Sequence, residues 1–540
     1  MISISILYSC GSLNVRDLEA SSRAASWHGD EYVKLDSGYI QGSKDKADSL
    51  SWKGIPYAAP PVDELRWKAP RLVESWDGIR PADKFSKPAT QLQPLFNGVM
   101  GSEDCLYLNI WRPDSMDEDL PVYIWIHGGG NSIGSPALND YHGHALASRS
   151  NAVFISISYR LGPLGWFRHP ALMSGNRLDD SGNYGLLDII FALKWVQRNI
   201  ESFGGNPDNI TVSGESAGAN NTLALMLSPE ARGLFHKAIV QSGYKSSASI
   251  AEAEQQAVDL STYLINKKRL NTDELTQSEI KELLINCRPA ELYSYFNAGG
   301  TGMINHLYHI EDGIVFPKEA YSGFESGDYA NKVPAIIGSN KEESKIFMFF
   351  DSSIPWRSEL YNLIAEIGSL GFKEGGVDSI AEGISSNDDA PPVFAYRFDW
   401  GSENSEGESA LPGNWGRRLG AMHTLEIPFF LGTDSINGPL FTPLLFSRKN
   451  YDNRKLLSGA VMDYTSNFIH AGNPNIGVIT AVNWPEWDEG SRYIIFNTEG
   501  EELGITIDDR VITVEQRLSE LKEQLEPELY ARLIEATDKK

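Results

Sequence analysis

The stretch Thr211-Val-Ser-Gly-Glu-Ser-Ala-Gly-Ala219 limits what this chain can fold into more than any other. Ile210 to Ser213 reads as a buried strand, and Leu223 to Leu227 as an apolar helical run. Between them a serine stands between two glycines, Gly214 and Gly218. A strand that reverses into a helix within so few residues leaves Ser216 strained, with its hydroxyl exposed. Side chains at 214 and 218 would strike the neighbouring strand and helix, so both positions want glycine. The pattern fits the elbow that presents a nucleophilic serine. Read alone, the same five residues also fit a glycine-rich turn with an idle serine.

Upstream, Val122-Tyr-Ile-Trp-Ile126 is a second apolar strand, and it runs into His127-Gly-Gly-Gly130. Consecutive glycines leave backbone N–H groups uncovered, as the oxygen of a tetrahedral intermediate requires. A serine hydroxyl needs an imidazole to accept its proton, and the imidazole needs an acid to orient it. When such a serine sits on an elbow, the partners follow in the order Ser, acid, His. His306, His309, His423 and His470 lie well downstream of Ser216, whereas His236 follows too closely. The acid belongs at a strand end. Val333-Pro-Ala-Ile-Ile-Gly338 is such a strand, and Glu342, Glu343 and Asp351 follow it.

Further strands at Val153 to Tyr159 and Lys237 to Gln241 alternate with helical patterns such as Ile189 to Ile200. That alternation predicts a wound, mostly parallel sheet. Ile250 to Asn297 and Ser358 to Ser386 read as polar-faced helices, and Val514 to Ala536 as one amphipathic helix. With 72 acidic against 47 basic residues the net charge is −25. This opposes nucleic-acid binding, which needs basic patches, and disfavours anionic substrates. Three cysteines, Cys10, Cys105 and Cys287, cannot form a disulfide framework. There is no metal-ligand cluster and no dinucleotide glycine pattern, so no cofactor and no metal are expected. No apolar run is long enough to span a bilayer as a helix.

Two longer segments carry a family resemblance. Phe203-Gly-Gly-Asn-Pro-Asp-Asn-Ile-Thr-Val-Ser-Gly-Glu-Ser-Ala-Gly218 and Glu103-Asp-Cys-Leu-Tyr-Leu-Asn-Ile-Trp-Arg-Pro113 resemble the two hallmark segments of the type-B carboxylesterases. Gly54-Ile-Pro-Tyr-Ala58, Gly182-Asn-Tyr-Gly-Leu-Leu-Asp188 and Ala238-Ile-Val-Gln-Ser-Gly243 match as well, and the resemblance runs from about Tyr32 to Trp487. It implies the α/β-hydrolase fold: a central, mostly parallel sheet flanked by helices, with helical insertions over an active-site gorge. Residues 31–540 are then expected to form a single domain behind a flexible segment or remnant signal at 1–30.

The resemblance implies a serine carboxylesterase acting on an ester through an acyl-enzyme, with Ser216 as nucleophile, His423 as general base and Glu343 as its acid. Backbone N–H groups of Gly129, Gly130 and Ala217 would form the oxyanion hole, and Ser242 would stand behind the acid. Ser344 takes the place of the glycine that usually follows the family's Glu. The interval from Glu343 to Ala395-Tyr-Arg-Phe398 is shorter than in typical members, so one pocket wall is expected to be reduced. Secreted members pair the cysteine at 105 with one upstream. Here the best match to that upstream segment is Ala89-Thr-Gln91, so Cys105 is expected to be a small buried apolar residue, and Cys287 likewise.

Relatives that lost their catalytic residues act as binding or adhesion proteins, and others are lipases; the intact Ser216, Glu343 and His423 argue for an esterase of small to medium uncharged esters. Choline esters are expected to be poor substrates. The stretch from Gln91 to Ser102, where cholinesterases keep a key tryptophan, holds Phe96 as its one aromatic residue. At the N-terminus, Leu7-Tyr-Ser-Cys10 resembles a bacterial lipobox without a basic region before it. Two readings stay open. The chain is cytoplasmic, or it is exported as a lipoprotein held to a membrane through a lipid at Cys10.

Overall fold

The apolar runs of the sequence pair into an 11-stranded sheet. In chain order its strands are β1 (Ser43–Asp45), β2 (Ser49–Pro56), β3 (Tyr107–Pro113), β4 (Leu120–Ile126), β5 (Val153–Ile157), β6 (Gly205–Glu215), β7 (Lys237–Gln241), β8 (Ala335–Asn340), β9 (Val393–Phe398), β10 (Tyr493–Phe496) and β11 (Thr506–Asp508). The structure is a computed structural model and describes residues 26–93, 98–271, 274–297, 302–349, 353–478, 481–488 and 492–537. Cys10 with its lipobox, Phe96 and Asp351 lie outside the described residues.

Across the sheet the order is β11-β10-β9-β8-β7-β6-β4-β5-β3-β2-β1. From β10 to β5 neighbouring strands are parallel, and antiparallel strands close both edges. Every residue of β4, β5, β7 and β8 is buried. Helices cover both faces, which is why these strands read as continuous apolar runs rather than alternating ones. Period two still sorts the side chains. Val122, Ile124 and Ile126 point into one core, Tyr123 and Trp125 into the other.

The first core is filled from α1 (Tyr184–Asn199) and α2 (Ala217–Leu227). Two insertions follow: α3 (Ile250–Lys267) with α4 (Gln277–Ile285), and α5 (Glu359–Lys373) with α6 (Ser379–Ser385). The first insertion packs with Trp67 and Phe167 in a core of its own. One π-type turn, Glu374–Asp378, joins α5 to α6. On the second face lies α7 (Tyr451–Ala471), which buries Leu457, Val461 and Phe468.

The segment expected to be one C-terminal helix is two, α8 (Val514–Gln524) and α9 (Pro527–Thr537). Pro527 explains the break. It has no N–H for the ladder and pushes the residue before it out of the α region, yet it suits the first turn of a new helix. Leu521 of α8 and Leu533 of α9 pack with Tyr361 and Ile364 of α5. Cys105 and Cys287 are both buried and free. No helix among the described residues is long and apolar enough to cross a membrane.

Strand order fixes where a site can form. Next to β4, the chain first builds β5 on one side and then β6 on the other. In wound parallel sheets the crevice at such a reversal, beyond the carboxyl ends of the strands, takes the ligand. β4 ends at Ile126, paired with Gly214 of β6, so His127-Gly-Gly-Gly130 and Ser216 leave the sheet side by side.

Candidate active site

Ser216 joins β6 to α2 with φ 57 and ψ −124, a conformation that costs an ordinary residue about 1–3 kcal/mol. The two glycines of the pattern allow it. A Cβ on Gly218 would lie 2.0 Å from the Ile126 carbonyl oxygen, and one on Gly214 would lie 2.3 Å from the Gly218 carbonyl carbon. Those contacts are with the neighbouring strand and with the helix, as the sequence pattern requires.

The glycine loop passes against this elbow. A Cβ on Gly128 would touch Ser216 Cβ at 3.0 Å. Gly129 and Gly130 have φ of +102 and +60, which turn the peptides away from the strand direction. Among the described residues, the N–H groups of Gly129, Gly130 and Ala217 meet no acceptor within the chain. Unpaired N–H groups at a crevice are sites for an anionic oxygen.

His423 is buried beyond the end of β9, with Nδ1 2.5 Å from Oε2 of Glu343. Glu343 is itself fully buried just past β8. Its Oε1 accepts hydrogen bonds from Ser242 Oγ at 2.6 Å and from the Asn340 N–H at 2.6 Å, so each carboxyl oxygen has a fixed task. The adjacent Glu342 turns elsewhere. It accepts from Ser402 Oγ and the Ala421 N–H and pairs with Lys345, bracing the segment that leads to His423. The remaining candidate histidines are occupied by packing. His306 bonds the Trp166 carbonyl, His470 that of Ser150, and His309 an asparagine on α2.

Two further carboxyls, which sequence reasoning did not single out, complete the surroundings of His423. Glu215, one residue before Ser216, brings Oε1 to 3.1 Å from His423 Nε2. The contact is close but lacks hydrogen-bond geometry, and Nε2 has no bonded partner among the described residues. Glu426 accepts from Asn340 Nδ2 at 2.5 Å, and Ser242 Oγ, whose proton goes to Glu343, lies 3.3 Å from it. Glu426 left one signal, an acid directly before the apolar run Ile427–Leu431, whereas Glu215 stands between Gly214 and Ser216 and left none.

Burial sets the protonation of this group. It raises Glu215 well above the usual carboxyl range, and with help from the Glu343 charge it raises Glu426 to about 7. Burial alone would lower the His423 pKa, but Glu215, Glu343 and Glu426 outweigh it and raise the imidazole to about 10. Each proton taken up by Glu215 or Glu426 removes one of those attractions. Protons are therefore shared by the cluster, not owned by single residues.

The interval between Glu343 and β9 sets two aromatic rings beside His423. Phe347 and Phe372 set their rings 5.2 and 5.6 Å from the His423 ring, and Phe347 remains 47 % exposed. Phe372 also meets Tyr244 edge-on at 5.6 Å. Both phenylalanines lie between Glu343 and β9.

The sheet order, the crevice at the reversal and the strand-to-helix serine together define the α/β-hydrolase fold, and solved structures agree. A PNB esterase structure superposes with a TM-score of 0.71 at 28% identity, covering 92% of this chain and 99% of that one. The Geobacillus stearothermophilus carboxylesterase superposes at 0.69 with 27% identity, over 88% and 98% of the two chains.

The model of the carboxylesterase family matches residues 29–366 and 371–517, and the chain belongs to that family. It is a carboxylic ester hydrolase. Among its relatives are the para-nitrobenzyl esterase of Bacillus subtilis (strain 168), 31% identical over 86% of this chain and 94% of that protein, and the fumonisin B1 esterase of Sphingopyxis macrogoltabida, 32% identical over 87% of each.

Proposed function

We propose that the chain hydrolyses small to medium uncharged carboxylic esters through a Ser216–His423–Glu343 triad and an acyl-enzyme. One observation carries this reading: the 2.5 Å contact of His423 Nδ1 with Glu343, on an imidazole whose Nε2 has no hydrogen-bond partner among the described residues. An imidazole anchored at Nδ1 and making no hydrogen bond at Nε2 is what a serine nucleophile needs as its base.

Ser216 Oγ attacks the ester carbonyl as His423 Nε2 takes its proton. The carbonyl oxygen becomes an alkoxide and is met by the N–H groups of Gly129, Gly130 and Ala217; one such donor is worth about 2.7–4 kcal/mol. His423 returns the proton to the leaving alcohol, and the acyl group stays on Ser216. Water then enters, gives a proton to His423 and releases the acid. Glu343, held by Ser242 and Asn340, keeps the imidazole in one tautomer and stabilises its cation.

The preference for uncharged esters rests on charge and surface. Three buried carboxyls crowd His423, so a substrate carboxylate there would meet repulsion as well as desolvation. Phe347 and Phe372 supply an apolar face instead.

An organophosphonate ester tests the triad. It should label Ser216, found by peptide mass, and Ser216→Ala should remove both labelling and turnover while the melting temperature holds. Turnover that persists in the purified Ser216→Ala protein would sink the assignment. Rates on p-nitrophenyl esters of increasing acyl length should peak at short to medium chains, and a maximum at long chains would point to a lipase.

A further inference from the structure

The donors assigned above come from two separate parts of the chain. Gly129 and Gly130 sit on the loop after β4, and Ala217 opens α2. An oxyanion is bound well when both parts keep a fixed distance and angle, so something must lock the loop to the helix.

Behind the loop, an otherwise apolar interior turns polar. Asn131 follows Gly130 with φ 51 and is 1 % exposed. Its backbone oxygen accepts the Gly162 N–H at 2.7 Å. Its side-chain oxygen accepts from Asn221 Nδ2 at 2.8 Å, and the Tyr159 hydroxyl, which donates to the His127 carbonyl at 2.7 Å, lies 3.3 Å away. The return contact, from Asn131 Nδ2 to Asn221 Oδ1, is 3.4 Å. Asn221 lies fully buried on α2, five residues after Ser216, where asparagine is a poor helix former. Its Oδ1 is also 2.8 Å from Nε2 of the fully buried His309, whose Nδ1 lies 3.2 Å from the Ser246 carbonyl.

We propose that the Asn131–Asn221–His309 chain is the positioning clamp of the oxyanion hole, tying the glycine loop to the helix that carries Ala217. The inference rests on the assignment of Gly129, Gly130 and Ala217 as donors. Asn131 holds the peptide next to Gly130 in the left-handed region that its own amide tolerates. Asn221 fixes that amide to α2. His309 keeps Asn221 from turning, and burial lowers its pKa to about 4, so near neutral pH it adds no charge beside the hole.

The clamp is tested with Asn221→Leu, close in size but without hydrogen bonds, and with His309→Phe and His309→Gln. Steady-state rates on a p-nitrophenyl ester separate kcat from KM. A trifluoromethyl ketone reports the hole directly. Ser216 Oγ adds to its carbonyl carbon, the serine proton passes to His423, and the ketone oxygen becomes the bound alkoxide. The matching methyl ketone forms no such adduct under these conditions and reports ground-state binding.

For Asn221→Leu, kcat should fall about 10²-fold with little change in KM, the scale of a 1 Å misplacement. Affinity for the trifluoromethyl ketone should fall by the same factor while that for the methyl ketone holds. His309→Phe should lose in the same direction and His309→Gln, which keeps a hydrogen bond to Asn221, should retain more. If Asn221→Leu does not fold, the His309 pair decides by the same ratio of ketone affinities. Unchanged trifluoromethyl ketone affinity in the folded variants would overturn the clamp. A wild-type enzyme that binds both ketones equally would instead overturn the oxyanion-hole assignment beneath it.

Discussion

Oε1 of Glu215, the carboxyl that directly precedes Ser216, lies 3.1 Å from Nε2 of His423. The nitrogen proposed to take the serine proton is thus flanked by an acid, and a second acid, Glu426, stands behind the Glu343 contact. Both raise the affinity of the imidazole for its proton.

That relationship sets the pH dependence. The base works when His423 is neutral, so kcat/KM falls as pH drops through its effective pKa. Glu426 ionises at about 7, and its charge raises His423. Glu426→Gln removes the charge and keeps the shape, so His423 loses its proton at lower pH. The acid limb of kcat/KM, measured from about pH 5 to 9, should therefore move to lower pH. A limb that stays put, or moves up, would show that Glu426 carries no charge over that range.

Two neighbouring glutamates should behave differently. Glu343→Gln leaves the ring without a carboxylate partner and should cut kcat by roughly 10³–10⁴-fold. Glu342→Gln weakens a brace to Ser402 and Ala421 and should cost less than about tenfold. Kinetics on purified proteins of matched stability would rank them, and the reverse order would move the acid by one residue.

At the elbow, Gly218→Ala adds a carbon 2.0 Å from the Ile126 oxygen, and backbone on one side must give way. A loss of about 1–3 kcal/mol by chemical denaturation is expected, with turnover falling further than stability does. Wild-type stability together with wild-type turnover would mean that β4 and α2 leave room for the added carbon.

Choline esters should be turned over more slowly than the isosteric 3,3-dimethylbutyl esters. A quaternary ammonium group is held by open aromatic faces. Trp166 is 1 % exposed, and the face of Trp356 is met by Arg357 and Arg418 at 4.6 and 5.3 Å. Comparing kcat/KM for the two esters at high salt, where long-range attraction is screened, decides the point. A persistent preference for choline would turn attention to Phe347 and Phe372 as a cation site.

How far the site could be read in the sequence follows from how local each part is. Ser216 needs two glycines within two residues, a strand before and a helix after, and all of it is visible in one window. His423 and Glu343 have no local signature that separates them from His306 or Glu342, and family resemblance singled them out. Glu215 and Glu426 were passed over because their burial depends on strands distant in the chain. The C-terminal break at Pro527 was legible and was overlooked, because apolar spacing on either side kept helical period through it. Phe372 was beyond reach, since its meeting with His423 depends on how α5 docks.

The reversal in strand order gives turnover a second use, as a clock for folding. Ser242 and Glu343 are 101 residues apart in the chain, and Glu343 and His423 are 80 apart. Each piece leaves the end of a different strand, so no sub-fragment holds a working set. During refolding from denaturant, tryptophan fluorescence should recover in stages as buried rings such as Trp125 and Trp195 leave water. Ester cleavage should stay silent until the segment carrying His423 docks, and then appear in step with the slowest of those stages.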